Sequence, residues 1–191
     1  VCSSDLNMTV MAPKNKFELS DMLKFAIDFN GPIALRYPRG EAVCDYEEYR
    51  KPVELGKCEP LKTGGRILLF AIGSMVDTAM HAAAELEEEG IEVAVTNARF
   101  AKPLDEAYLK EAVKTYDAIF TLEENALSGG FGEQVLCVLN SRKYKGIVKL
   151  IGIPDAFIQH GAPDILKANL KLDTEGVKSK VRKVHKKLEK K

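Results

Sequence analysis

Two arginines stand three residues apart in "GPIALRYPRGEAV", Gly31 to Val43. The stretch starts as an apolar strand at Ile33, Ala34 and Leu35 and closes on a proline and a glycine. Side chains alternate along a strand, so Ala34 and Arg36 share one face and Leu35 and Tyr37 the other. Pro38 cannot donate to a ladder and holds Tyr37 extended, which places Arg39 just past the strand's carboxyl end. In open α/β sheets that edge binds ligands. A guanidinium there stays charged and offers paired donors to phosphate oxygens. Two readings follow: a phosphate anchor, or an arginine paired with a carboxylate between domains.

Three further groups have the types that chemistry needs. In "EENALSGGFG", residues 123–132, a glycine cluster between strand and helix frees backbone N–H groups for an anion or permits close packing. It has neither a Walker lysine nor the G-x-G-x-x-G order, so a tight strand-to-helix turn at a subunit contact is favoured. Glu123 and Glu124 form a carboxylate pair suited to acid–base work, with no pKa-shifting partner visible in the sequence. In "GIPDAFIQHG", residues 152–161, Asp155 and His160 could orient one another. No serine or cysteine nucleophile lies nearby, so a turn-capping Asp155 and a surface or interface His160 are favoured. His81 and His185 carry less still. The tail "KSKVRKVHKKLEKK" holds eight basic residues and one acid around the stripe Val177, Val181, Val184 and Leu188. It lacks interleaved aromatics and reads as a solvated helix face, not a nucleic-acid site.

The elements that must position these groups follow from periodicity. "MTVMAP" (8–13) is a short strand. Asn15 and Glu18 have capping-box spacing, before a helix with the stripe Leu19, Met22, Leu23 and Ala26. With the strand at 33–35 this makes a parallel crossover, one that cannot by itself cover both faces of a sheet. Residues 43–65 read as a linker with a short strand near 53–57. "RILLFAIG" (66–73) is a continuously apolar strand, as expected for burial on both faces. Ser74 and Asp77 can cap the next helix, whose stripe is Val76, Ala79, Met80 and Ala83, and Gly90 ends it. Strands at 91–98, 117–124 and 147–153 alternate with helices that begin at Pro103–Asp105 and after Gly130, and helices follow near 162–170 and 174–190. The fold class is α/β: a strand–helix–strand remnant, then an open, mostly parallel sheet with helices on both faces.

The totals agree with a globular domain. Of 191 residues, 46% are hydrophobic and 29% charged, and 28 basic residues balance 28 acidic ones. That balance points to no nucleic-acid or membrane partner. Four cysteines form no CxxC pair or metal framework, a usage that fits a reducing cytosol, and Cys137 reads as a small core residue. No apolar run reaches the length of a membrane span. "VCSSDL", residues 1–6, has no targeting logic and reads as a leader foreign to the fold.

Five ordered motifs, "NMTVMAPK", "GPIALRYPRG", "VTNARFAKPLD", "EEN" with "GGFG", and "GIPDAFIQHG", resemble the C-terminal third of the 1-deoxy-D-xylulose-5-phosphate synthases of the transketolase superfamily. The resemblance runs from Asn7 to about Lys187. It implies a condensation of pyruvate with D-glyceraldehyde 3-phosphate using thiamine diphosphate and Mg2+, feeding isoprenoid, thiamine and pyridoxal synthesis. It implies that residues 7–42 end a pyrimidine-binding middle domain and that 66–191 form the C-terminal domain. Cofactor, metal and catalytic residues would then lie on missing N-terminal and middle-domain regions, with none of them in this chain, which would bind no cofactor and be inactive alone. A homodimer in the cytoplasm, or in a plastid if eukaryotic, is implied too. Arg39 falls on the family's position for the substrate phosphate. Arg36 has no such support and is left structural. The alternatives are another superfamily member, such as transketolase or the pyruvate dehydrogenase beta subunit, or a non-catalytic binding and dimerisation module.

Overall fold

The computed structural model describes residues 6–38 and 43–190. Arg39 and all but the last residue of "VCSSDL" lie outside that range. A three-stranded sheet runs β2–β1–β6, from β1 (Thr9–Met11), β2 (Ile33–Leu35) and β6 (Phe100–Lys102). A five-stranded sheet runs β3–β5–β4–β7–β8, from β3 (Glu59–Lys62), β4 (Ile67–Ala71), β5 (Ala94–Asn97), β7 (Ala118–Ala126) and β8 (Ile147–Ile153). β4, β5, β7 and β8 are parallel, and β3 joins β5 antiparallel. The helices are α1 (Lys16–Asp28), α2 (Met75–Glu88), α3 (Glu106–Thr115), α4 (Phe131–Ser141), α5 (Pro163–Leu170) and α6 (Thr174–Leu188).

The five-stranded sheet is covered on both sides. Ile67, Leu69 and Ala71 of β4 pack with α2 and α6, while Leu68 and Phe70 pack with α3 and α4. All five residues of β4 are buried, as its unbroken apolar run requires. Each of its Ile, Leu and Phe side chains contributes about 1.5–3 kcal/mol of transfer free energy. The α6 stripe Val177, Val181, Val184 and Leu188 is buried as expected. The charged face of α6 is tied to α2: Lys178 meets Glu85 and Glu89, and Arg182 meets Glu89 with two hydrogen bonds.

The crossover is present, since β1 and β2 are parallel. Both faces of its small sheet are covered after all. Met11, Ile33, Leu35 and Phe100 pack under Met22 and Phe25 of α1, and Val10, Ala12 and Ala34 join the core beneath α3 and α4. β6, which pairs antiparallel with β1, makes this possible.

Several local expectations need correction. The strand expected at 53–57 forms at Glu59–Lys62, where Glu59 and Leu61 turn inward against β5. Leu23 of α1 is exposed, and the buried face carries Glu18 and Met22. Asn15 caps α1 by accepting from the Glu18 N–H, but the Glu18 carboxylate takes the Lys14 N–H, outside a reciprocal box. Ser74 and Asp77 do not cap α2. Ser74 has helical backbone angles and donates to Glu124, and Asp77 accepts from the Tyr46 hydroxyl. Cys137 is exposed, because it lies about 200° around α4 from the inward Val135.

Candidate functional site

The sheet topology puts a crevice beside the carboxyl end of β2. From β4 the chain crosses to β5 on one side, and β7 lies on the other, so order reverses between β4 and β7. Ligands favour the carboxyl ends of strands at such a reversal. A cleft of about 920 Å³ opens there. One wall is the end of β2, Leu35 to Pro38, and the other is Gly73 and Ser74 after β4 with the β7–α4 turn.

The turn shows why its glycines are needed. A Cβ on Gly130 would lie 2.3 Å from the Ala126 carbonyl oxygen and 2.7 Å from Glu123 Oε2. Gly129 has φ +69°, in the left-handed region. The backbone amides freed by this geometry are already occupied. Glu123 accepts from the N–H groups of Phe131 at 2.9 Å and Gly132 at 2.7 Å, and Glu133 accepts from that of Gly129 at 2.8 Å. The anion at the α4 N-terminus is thus the protein's own carboxylate, and the turn offers no vacant anion nest at these amides. The strand-to-helix turn is tight, as expected.

Glu123 is also the perturbed acid of the cleft. Burial pushes its pKa above the ordinary 4.5, against the two amide hydrogen bonds and the nearby Arg36 charge, which pull it down. A carboxyl raised by burial leaves the folded state holding more protons than the unfolded state above pH 4.5. Its contribution to stability therefore falls as pH rises from there through the folded pKa. Compared with Glu123→Gln, the native protein is expected to gain relative stability as pH drops from 7 toward 4.5. Urea unfolding of both proteins across that range checks this. A difference that is flat in pH, or that grows with pH, contradicts it.

Its neighbour Glu124 is held differently, by the Ser74 hydroxyl at 2.5 Å and Lys167 of α5 at 3.1 Å. The two carboxylates thus share no proton-relay geometry. Arg36 reaches across the mouth of the cleft and donates from Nη2 to Asn125 Oδ1 at 3.1 Å. The carboxylate partner between domains foreseen for one of the arginines is not what Arg36 meets. Asp155 and His160 lie on the exposed loop between β8 and α5, and neither meets a hydrogen-bonding or charged partner among the described residues. Asp155 caps nothing there.

Sequence reasoning missed a buried four-charge cluster behind the cleft. Lys14, Glu18, Glu59 and Arg99 are each less than 5% exposed. Arg99 donates to Glu18 and Glu59 at 2.8 Å each, and to the carbonyls of Pro52 and Lys51. Lys14 meets Glu59 at 2.6 Å and Glu18 at 3.3 Å, and Asn97 donates to both carboxylates. Two positive and two negative side chains cancel, and the group joins α1 and the turn before it to β3 and the end of β5. Only the i, i+4 spacing of Lys14 and Glu18 was visible in sequence.

A second cavity, of about 620 Å³, opens at the opposite edge and is lined by Arg66, Lys110, Lys114, Arg142, Lys143 and Lys145. α3 and α4 end beside it, and cations there complement the helix dipoles.

A doubly covered, mostly parallel sheet with a ligand cleft at its reversal defines the class. Residues 56–177 match the family described as transketolase, C-terminal domain, and the chain belongs to that family. Among curated proteins it is 43% identical over 175 residues to the 1-deoxy-D-xylulose-5-phosphate synthase of Lachnoclostridium phytofermentans, covering 91% of this chain and 28% of that protein. The synthase of Thermosynechococcus vestitus is 46% identical over 169 residues, 87% of this chain and 26% of that protein. The chain therefore spans little more than a quarter of these relatives. Among solved structures, a split-gene transketolase determined as an inactive beta4 tetramer superposes with a TM-score of 0.82 at 30% identity, covering 93% of this chain and 57% of that one. A transketolase mutant from Pichia stipitis gives a TM-score of 0.69 at 19% identity over 95% of this chain and 26% of that one, a likeness of fold alone.

Proposed function

We propose that this chain is the C-terminal part of a 1-deoxy-D-xylulose-5-phosphate synthase. The observation that carries the reading is 43% identity to one such synthase along 91% of the chain, through both the cleft and the arginine motif. The reaction joins the carbonyl carbon of pyruvate to the aldehyde carbon of D-glyceraldehyde 3-phosphate. The bond from that pyruvate carbon to its carboxylate breaks, CO2 leaves, and one proton is taken up. This makes the enzyme a transferase supplying isoprenoid and thiamine synthesis.

Thiamine diphosphate and Mg2+ are assigned to sequence outside this chain. Among the described residues no three His, Cys, Asp or Glu side chains group so as to hold a metal ion. The part played by this chain is to bind the phosphorylated substrate, with Arg39 as anchor, and to support a homodimer. Alone it is inactive. Among the described residues no helix is long and apolar enough to cross a membrane, and the reading places the enzyme in a bacterial cytoplasm or a plastid.

A second reading, a subunit of a split transketolase, is favoured by the likeness to the split-gene structure, more than half of which this chain covers. The two are separated by supplying the full-length gene product with pyruvate plus D-glyceraldehyde 3-phosphate, and in parallel with two sugar phosphates. Aldehyde-dependent CO2 release in the first mixture is expected. Turnover confined to the second favours the split transketolase.

A further inference from the structure

Arg36 differs from every other described arginine. Arg50, Arg66, Arg99, Arg142 and Arg182 each meet a carboxylate at 2.9 Å or less. Among the described residues Arg36 meets none, and the one hydrogen-bond partner of its side chain is a neutral amide oxygen, that of Asn125. Of the two carboxylates that precede that partner on the cleft wall, Glu123 is turned onto the α4 amides, and Glu124 is engaged by Ser74 and Lys167. Among the described residues, five guanidinium groups are thus in direct contact with a carboxylate and the sixth is oriented without such a contact, at the mouth of a 920 Å³ cleft.

That pattern has a chemical meaning. An arginine fork carries five donors, and a single amide oxygen uses one of them. An amide partner fixes the direction of the plane without neutralising its charge. The remaining donors suit two oxygens of a tetrahedral anion. The glycine turn facing it cannot serve as an alternative anion receptor at the amides of Gly129, Phe131 and Gly132, which are taken internally.

We propose that Arg36, oriented by Asn125 at the cleft mouth, is a further contact for the phosphate monoester of the substrate, in addition to the anchor role assigned to Arg39. The identity of the ligand as an aldehyde phosphate rests on the synthase reading. The assignment of Arg36 as an anion contact does not.

The test uses Arg36→Gln and Arg36→Lys in the full-length enzyme, with D-glyceraldehyde 3-phosphate and unphosphorylated D-glyceraldehyde as alternative acceptors. Arg36→Gln is expected to raise KM for the phosphorylated acceptor roughly 10- to 100-fold and to leave that for D-glyceraldehyde unchanged. Arg36→Lys, which keeps the charge and loses the fork, is expected to fall between. Equal effects on both acceptors would mean that Arg36 only holds the turn in place, and no effect on either would mean it is idle. Either result overturns the proposal. Calorimetric titration with inorganic phosphate supplies a readout that needs no turnover. Binding to the native enzyme, weakened by Arg36→Gln, is expected. If the native enzyme makes no pentulose phosphate, the synthase reading fails while this titration still decides the role of Arg36: equal phosphate binding by both proteins would refute it.

Discussion

Arg99→Met is expected to lower the unfolding free energy by about 3–5 kcal/mol, a large share of what a domain of this size has to spare. The change removes one of two cations facing Glu18 and Glu59, which are 3% and 1% exposed. Methionine fills much of the same volume, so the loss is chiefly electrostatic and not a cavity. Lys14 remains, but it cannot replace the two charge-assisted hydrogen bonds that Arg99 makes at 2.8 Å, nor satisfy the carbonyls of Lys51 and Pro52. Arg99 also has φ +59°, so its backbone sits in the left-handed region and persists because its surroundings hold it there. Urea unfolding checks the figure. Pairing Arg99→Met with Glu18→Gln should recover part of the loss, since it removes the anion left uncompensated. A cost below about 1 kcal/mol would mean that these charges are not buried together.

The second large effect concerns Arg39→Ala in the full-length enzyme. KM for D-glyceraldehyde 3-phosphate is expected to rise roughly 10- to 100-fold, the loss of one charge-assisted contact to phosphate. Pyruvate has no phosphate, so its KM and its decarboxylation without acceptor should stay as they are. Initial-rate kinetics with each substrate varied separates the two. An unchanged KM for the aldehyde phosphate would remove Arg39 from the substrate site.

The contrast between these residues shows what a sequence can carry. β4 was legible because a run buried on both faces is apolar at every position, and Ile67 to Ala71 is such a run. α6 was legible because four apolar residues recur at helical spacing through a basic tail. β6 was not: three residues, Phe100 to Lys102, are too short to show a period. β3 contradicts strand propensity with a buried glutamate and a proline, and forms because Glu59 meets Lys14 and Arg99. That cluster joins residues as far as 81 positions apart, beyond any local pattern. At the cleft, residue types marked the right segments but not their partners. The glycine turn was legible as a tight turn, and the carboxylate that fills its amides was not. Arg36 was legible as an arginine at a strand end. That it contacts an amide and no carboxylate among the described residues is a fact of three dimensions.

The most direct measurement follows the carbon. Full-length enzyme containing this chain is given pyruvate labelled with carbon-13 at the carbonyl carbon, together with D-glyceraldehyde 3-phosphate. Label is expected at the keto carbon of 1-deoxy-D-xylulose 5-phosphate, with one CO2 released for each product formed. Untouched pyruvate, with two-carbon units passing between sugar phosphates instead, would contradict it.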